Sequence, residues 1–273
     1  MRQRLHLVID RPWWYIVILL VLALFSCKKD KPSTVLPVAP PPKPVDYKLV
    51  WSDDFDADTI NANYWNIETG NPGVNNEKEY NQRANLAVVE GNLVITAKKE
   101  DAGGFHYTSA RINSMGKITG AYGRVEARIK MPMSVGLEPA FWCLGADVEL
   151  VPWPACGEID IVQHANAENL VYGTMRWDNM GLTSVGYSLT TTPGDYHIYA
   201  IDWDVNSIKW YVDDKLYLTS SIRSGAYNTG AFQRPFFIIL SMAVGDDFTG
   251  SSVDETKLPA NMYVDYVRVY IAK

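Results

Sequence analysis

Glu158 and Asp160 stand two residues apart in the run Gly157-Glu-Ile-Asp-Ile-Val-Gln-His164. Successive side chains of a strand point to opposite faces, so a strand here aims both carboxylates the same way and sends Ile159 and Ile161 to the opposite layer. Two carboxyl groups on one face can act as nucleophile, acid or base; a plain surface strand can also carry two acids with no chemistry. Trp153 and Cys156 just upstream and His164 just downstream favour the floor of a cleft.

The elements that must position these groups read as strands. From Tyr47 onward, short apolar or alternating runs are punctuated by Gly, Asn, Asp and Pro. Leu86-Ala-Val-Val, Asn92-Leu-Val-Ile-Thr-Ala, Gly123-Arg-Val-Glu-Ala-Arg-Ile-Lys-Met, Tyr196-His-Ile-Tyr-Ala-Ile-Asp-Trp and Ile208-Lys-Trp-Tyr-Val carry the signal. Val212-Asp-Asp-Lys-Leu216 has the composition of a tight hairpin turn. No long segment keeps helical periodicity and no internal repeat is visible. Residues 46–273 as one unit predict an all-β fold, a two-sheet β-sandwich of the jelly-roll kind.

With 47% hydrophobic and 21% charged residues among 273, the chain is globular in composition. A net charge of -6 gives no electrostatic reason to expect nucleic acid as a partner. Nine Trp and 16 Tyr hint at flat, stacking ligands such as sugars or bases, although aromatics also fill the core of any β protein. Cys143 and Cys156 either pair in an oxidising envelope or remain buried thiols, and no zinc spacing is present.

Residues 1–27 read as an export signal. Arg2, Arg4 and Arg11 precede the apolar run from Trp13 to Phe25, which ends at Leu24-Phe-Ser-Cys27. The run is shorter than the roughly 18 to 20 residues of a spanning helix, and Cys27 is the expected lipidated first residue of a mature lipoprotein. An uncleaved amino-terminal anchor is the alternative, and both readings place the domain outside the cytoplasm. Residues 28–45 hold Pro32, Pro37, Pro40, Pro41, Pro42 and Pro44, a semi-rigid polyproline spacer that would hold a tethered domain off the membrane.

The stretch from about Leu49 to Tyr270 resembles the catalytic domain of family 16 glycoside hydrolases, the laminarinase-like endo-β-glucanases. The pieces that carry the resemblance are Trp51-Ser-Asp-Asp-Phe55, Asn75-Asn-Glu77, Gly91-Asn-Leu-Val-Ile-Thr96, Ser109-Ala-Arg-Ile-Asn113, Tyr122-Gly-Arg-Val-Glu-Ala-Arg128, Pro139-Ala-Phe-Trp142, the Gly-Glu-Ile-Asp-Ile run and Tyr263-Val-Asp-Tyr-Val-Arg-Val-Tyr270. The resemblance implies a concave carbohydrate cleft and a retaining double displacement between two carboxyl groups about 5 to 5.5 Å apart. It makes Glu158 the nucleophile and Asp160 its assistant. It places the acid/base five positions after the nucleophile, an offset that needs a β-bulge to restore the facing, and at that position this chain has Gln163.

An amide cannot release a proton to a departing alkoxide near neutral pH. General acid catalysis contributes about 10²- to 10⁴-fold, roughly 3 to 5.5 kcal/mol of barrier, so both chemical steps should suffer. The chain departs from the family pattern elsewhere too: Glu138 stands where Trp is usual, Arg176 where His is usual, and Ser241 and Asp246 where Asn and Gly are usual. Trp142, Trp153 and Trp177 are the expected stacking aromatics of the cleft, with Asn75, Glu77 and Arg111 on sugar hydroxyls. Each of these tryptophans could equally be core. His164 is a further candidate contact, although the residue after Gln163 in a regular strand faces away. Trp203 and Trp210 are expected in the core. No catalytic cofactor is implied; a structural calcium is, held by the backbone carbonyls of Asp54 and Gly91 and the carboxylate of Asp265.

Three functions follow as expectations. The first is a membrane-anchored envelope lipoprotein, monomeric and in the outer membrane, that binds β-1,3- or mixed-linkage β-glucan with weak or absent hydrolysis. The second is an active retaining endo-β-glucanase. The third is a jelly roll repurposed for a ligand other than glycan.

Overall fold

A computed structural model describes residues 45–223 and 227–273; the leader, Cys27 and all but the last residue of the spacer lie outside them. The described chain folds as two stacked antiparallel sheets, apart from one parallel pairing between Glu79–Asn81 and Phe105–Ser109. Among the described residues the only helical pieces are three short 3₁₀ turns, and no helix is long and apolar enough to cross a membrane. The expectation of an all-β sandwich is met.

The site sits on the eight-stranded sheet. Its order is Leu182–Thr190, Leu170–Asp178, Glu158–Gln163, Leu137–Gly145, Phe236–Val244, Arg111–Asn113 and Asn66–Ile67, with Thr119–Gly120 also pairing to Phe236–Val244. Strands adjacent in the sheet need not be adjacent in the chain, so residues far apart in sequence meet on one face. The ten-stranded sheet packs behind it, with Gly123–Lys130 and Ala260–Ala272 in its middle.

Alternation assigns the two faces. On Phe236–Val244, residues Phe236, Ile238, Leu240, Met242 and Val244 enter the core, while Ser241 on the other face is half-buried. Trp65, Trp210, Tyr199, Phe141 and Phe232 are the bulkiest fully buried side chains, and Trp203 and Trp210 are core as expected. Burial of this apolar surface is what offsets the conformational entropy of ordering so many strands.

The expected strands appear with small shifts at their ends. The strand predicted to run through Met131 stops at Lys130, because Met131 turns its N–H to the carbonyl of Pro193 instead of the ladder. Asp213 and Asp214 take left-handed φ values of 48° and 60°, the geometry of a two-residue hairpin whose twist matches its strands.

Candidate active site

Glu158, Asp160 and Gln163 lie on one interior strand of the cleft sheet, and a β-bulge brings the third residue round to face with the first two. Asp160 pairs with Trp142 and Gln163 with Ala140, so Ile161 and Val162 together oppose Phe141 alone. The same slip appears on the other side, where Asp160 pairs with Thr174 and Gln163 with Tyr172. Both bulge residues are buried, which is the gain from placing two apolar side chains in succession. The Asp160 carbonyl accepts a 2.8 Å hydrogen bond from the indole N–H of Trp210, a core residue of the opposite sheet. Gly173 makes room for it: a Cβ there would meet Trp210 Cδ1 at 2.6 Å and Tyr217 Oη at 2.4 Å.

Arg176 controls the charge of this face. It stands opposite Glu158 across the ladder, its Nη1 donates to Glu158 Oε1 at 2.6 Å and also to Asp160 Oδ2, and its Nη2 approaches Gln163 Oε1 at 3.4 Å. Glu158 Oε2 accepts from Trp153 Nε1 at 2.8 Å. Asp160 is 1% exposed. Burial and the charge of Glu158 push its carboxyl upward, and Arg176 opposes both.

The neighbouring strand supplies a carboxyl that the expected site does not contain. Glu138, Ala140 and Trp142 alternate onto the cleft face, and Gln163 Nε2 donates to Glu138 Oε1 at 2.7 Å. Burial, then the adjacent Asp246, hold Glu138 well above the usual carboxylate range, with Asp160 and Glu77 adding to the effect. Asp246 accepts from the backbone and hydroxyl of Thr249 through Oδ1, and its carboxylate shares a side-chain hydrogen bond with the Glu138 carboxyl. Glu77 and Glu79 form a second acid pair: burial and Glu77 push Glu79 up to about 9, so Glu79 keeps its proton near neutrality and bonds to Glu77. Val244 N–H fixes Glu79 Oε2 at 2.9 Å.

Glu79, Glu138, Glu158, Asp160, Gln163 and Arg176 line one cleft of about 660 Å³, together with Asn75, Glu77, Arg111, Trp142 and Trp153. Trp153 is 45% exposed. Trp142 is anchored by its indole N–H to Ser241 Oγ at 3.1 Å and lies under the Arg111 guanidinium, 4.8 Å from the ring centre. Arg111 is in turn held by Glu68 at 3.1 Å.

Two expected contacts are elsewhere. Trp177 is 3% exposed and packs edge-on against Phe232 in the core, its N–H on the carbonyl of Tyr227. It follows Arg176, and alternation that aims Arg176 at the cleft sends Trp177 inward. His164 is fully buried behind the strand, with Nδ1 on the carbonyl of Leu170, so it cannot touch a sugar. Cys143 and Cys156 are buried free thiols.

The expected calcium ligands are the backbone carbonyls of Asp54 and Gly91 and the carboxylate of Asp265. Asp265 Oδ2 accepts from Arg128 at 2.7 Å, Asp54 Oδ1 accepts from Arg268 at 2.6 Å, and Asp56 Oδ1 lies beside Gly91. Among the described residues no three acidic, His or Cys side chains converge.

Sequence reasoning marked Glu138, Arg176, Ser241 and Asp246 as departures, not as partners. The signal was available for two of the acids. Period-2 alternation from Trp142 leads back to Glu138, and from Glu77 forward to Glu79.

Comparison with known proteins agrees with this architecture. The profile of glycosyl hydrolases family 16 matches residues 73–268. The clotting factor G alpha subunit of Tachypleus tridentatus is 40% identical over 231 residues, covering 82% of this chain but 34% of that protein, so the chain spans about a third of that relative. A β-glucanase of Rhodothermus marinus is 36% identical over 245 residues, covering 82% of this chain and 85% of that protein. The X-ray structure of an endo-β-1,3-glucanase from Pyrococcus furiosus superposes with a TM-score of 0.77 at 37% identity, covering 84% of this chain and 96% of the other. Most strands of both sheets, and the Glu158 and Asp160 carboxylate pair, lie within the matched span, and the chain belongs to glycosyl hydrolase family 16.

Proposed function

We propose that this protein binds β-1,3- or mixed-linkage β-glucan along the cleft and cuts it slowly or not at all. The observation that carries the proposal is the state of Gln163. Its amide stands at the acid position that the resemblance assigns, fixed between Glu138 on one side and Arg176 on the other. A second observation supports it: Arg176 already neutralises Glu158, and a carboxylate stabilised by a guanidinium is a poorer nucleophile.

Binding needs none of this chemistry. Trp153 offers a flat apolar face to a pyranose ring, and Asn75, Glu77 and Arg111 offer hydrogen bonds to hydroxyls. The glucan itself is suggested by the glucanases among the relatives. The same relatives, with Glu158 and Asp160 in place, favour a second reading as an active endo-β-glucanase. The proposal extends to a monomeric domain tethered to the envelope, in the outer membrane, through a lipid on Cys27.

The test is affinity electrophoresis in laminarin and lichenan beside a reducing-end assay on the same glucans. Retardation with little or no new reducing end supports the reading. Rapid oligosaccharide release supports the second reading, and absence of retardation in any glycan defeats both in favour of a repurposed cleft.

A further inference from the structure

We propose that Glu138 is the acid and base of this cleft, a carboxyl moved from the Glu158–Gln163 strand to its neighbour, and that it carries whatever slow hydrolysis the protein performs. This rests on the reading that a β-glucan occupies the cleft.

The geometry begins with the register. Ala140 lies opposite Gln163, and Glu138 is the next residue of that strand on the cleft face. Gln163 reaches across and donates Nε2 to Glu138 Oε1 at 2.7 Å. The Glu138 carboxyl is therefore one hydrogen bond away from the expected acid position. The bond also orients it, since Oε1 accepts from Gln163 while the carboxyl shares its proton with Asp246. At the other end of the same network, Gln163 Oε1 faces Arg176 Nη2 and Arg176 Nη1 holds Glu158. The chain Glu158, Arg176, Gln163, Glu138 thus has a nucleophile at one end and a carboxyl at the other.

The other acids of the cleft fit the role less well. Asp160 is buried and bound by Arg176. Glu77 is the acceptor of the Glu79 proton. Burial, and then Asp246, Asp160 and Glu77, hold the Glu138 carboxyl well above the usual carboxylate range, and it lines the cleft. Of the five departures from the family pattern, Glu138, Gln163, Arg176 and Asp246 form one connected group, and Ser241 holds Trp142 beside it.

In the first step Glu158 attacks the anomeric carbon, the bond to the leaving oxygen breaks, and the Glu138 proton passes to that oxygen. A glycosyl ester of Glu158 and an ionised Glu138 result. In the second step Glu138 removes a proton from water, the water oxygen bonds to the anomeric carbon, and the ester breaks to return Glu158 as a carboxylate. Atoms and charges balance without a further reactant.

The experiment uses long incubations of the purified protein with laminarin and, separately, with 2,4-dinitrophenyl β-laminaribioside, whose leaving group needs no proton. The proposal expects measurable wild-type release from laminarin. In Glu138→Gln it expects kcat on laminarin to fall about 10²-fold or more, with KM and retardation in glucan gels little changed and the burst of dinitrophenol retained. A Glu138→Ala variant should regain turnover of the activated glycoside with sodium azide, giving a β-glycosyl azide; this arm stands if Glu138→Gln folds poorly. No wild-type release, wild-type rates in Glu138→Gln, or no azide rescue in a folded Glu138→Ala overturns the proposal. Failure of the wild type to be retarded by glucan removes the substrate itself, an outcome separate from turnover that ignores Glu138.

Discussion

Arg176 faces Glu158 directly across the ladder, and the same guanidinium nitrogen that donates to Glu158 Oε1 at 2.6 Å also reaches the buried Asp160. One cation therefore serves two anions, and its removal has opposite effects on stability and on reactivity.

Replacing Arg176 by Ala leaves Asp160 buried beside another carboxylate with no counter-charge. Truncating one partner of a buried ion pair costs about 3 to 5 kcal/mol, to be read as a lowered urea midpoint. Arg176→Lys, a point charge without the planar fork, should recover only part of the loss.

Gln163→Glu places a carboxyl at the expected acid position. Reducing-end release from laminarin should rise about 10²-fold or more over wild type, and Gln163→Glu with Arg176→His should exceed the single variant because Glu158 is then freed of its guanidinium. A flat response in both would show that the cleft has lost more than its acid.

The tryptophans separate by location. Trp153→Ala should weaken retardation in glucan gels by about fivefold, roughly 1 kcal/mol of stacking, with an unchanged melting temperature. Trp177→Ala should instead destabilise by roughly 3 to 5 kcal/mol and leave the affinity of the folded fraction intact.

Glu79 gives a pH dependence of fixed sign. Its folded value near 9 lies above the ordinary 4.5, so the folded state binds more protons than the unfolded one, and stability falls as pH rises between those values. Thermal melts from pH 5 to 9 should show the decline, and Glu79→Gln should make it shallower, the remainder coming from the raised carboxyls of Glu138 and Asp160.

Much of this was legible in the sequence because alternation is a strict rule. Glu158 and Asp160 follow from a period of two, the inward Trp203 and Trp210 follow from their strands, and the bulge before Gln163 follows only from the odd offset at which the family resemblance places the acid. Trp177 failed because a motif position outweighed the same rule: its neighbour Arg176 takes the cleft face, so Trp177 cannot. Glu138 and Asp246 were readable only as residues and not as partners. Their meeting depends on strand order, which joins positions more than a hundred residues apart, and no local pattern records it, whereas Glu79 was within reach of alternation from Glu77.

The bond from the Trp210 indole to the Asp160 carbonyl places a control point outside the cleft. The phase of the floor, which decides whether residue 163 looks out at a ligand or into oil, is braced from the opposite sheet, with Gly173 as the clearance that admits the brace. Random mutagenesis for altered turnover should therefore return hits at Trp210 and Gly173, positions that touch no sugar and would otherwise be dismissed as packing. A graft of the Glu158–Gln163 strand onto another sandwich would also have to bring that tryptophan, or the transplanted residues would arrive out of step.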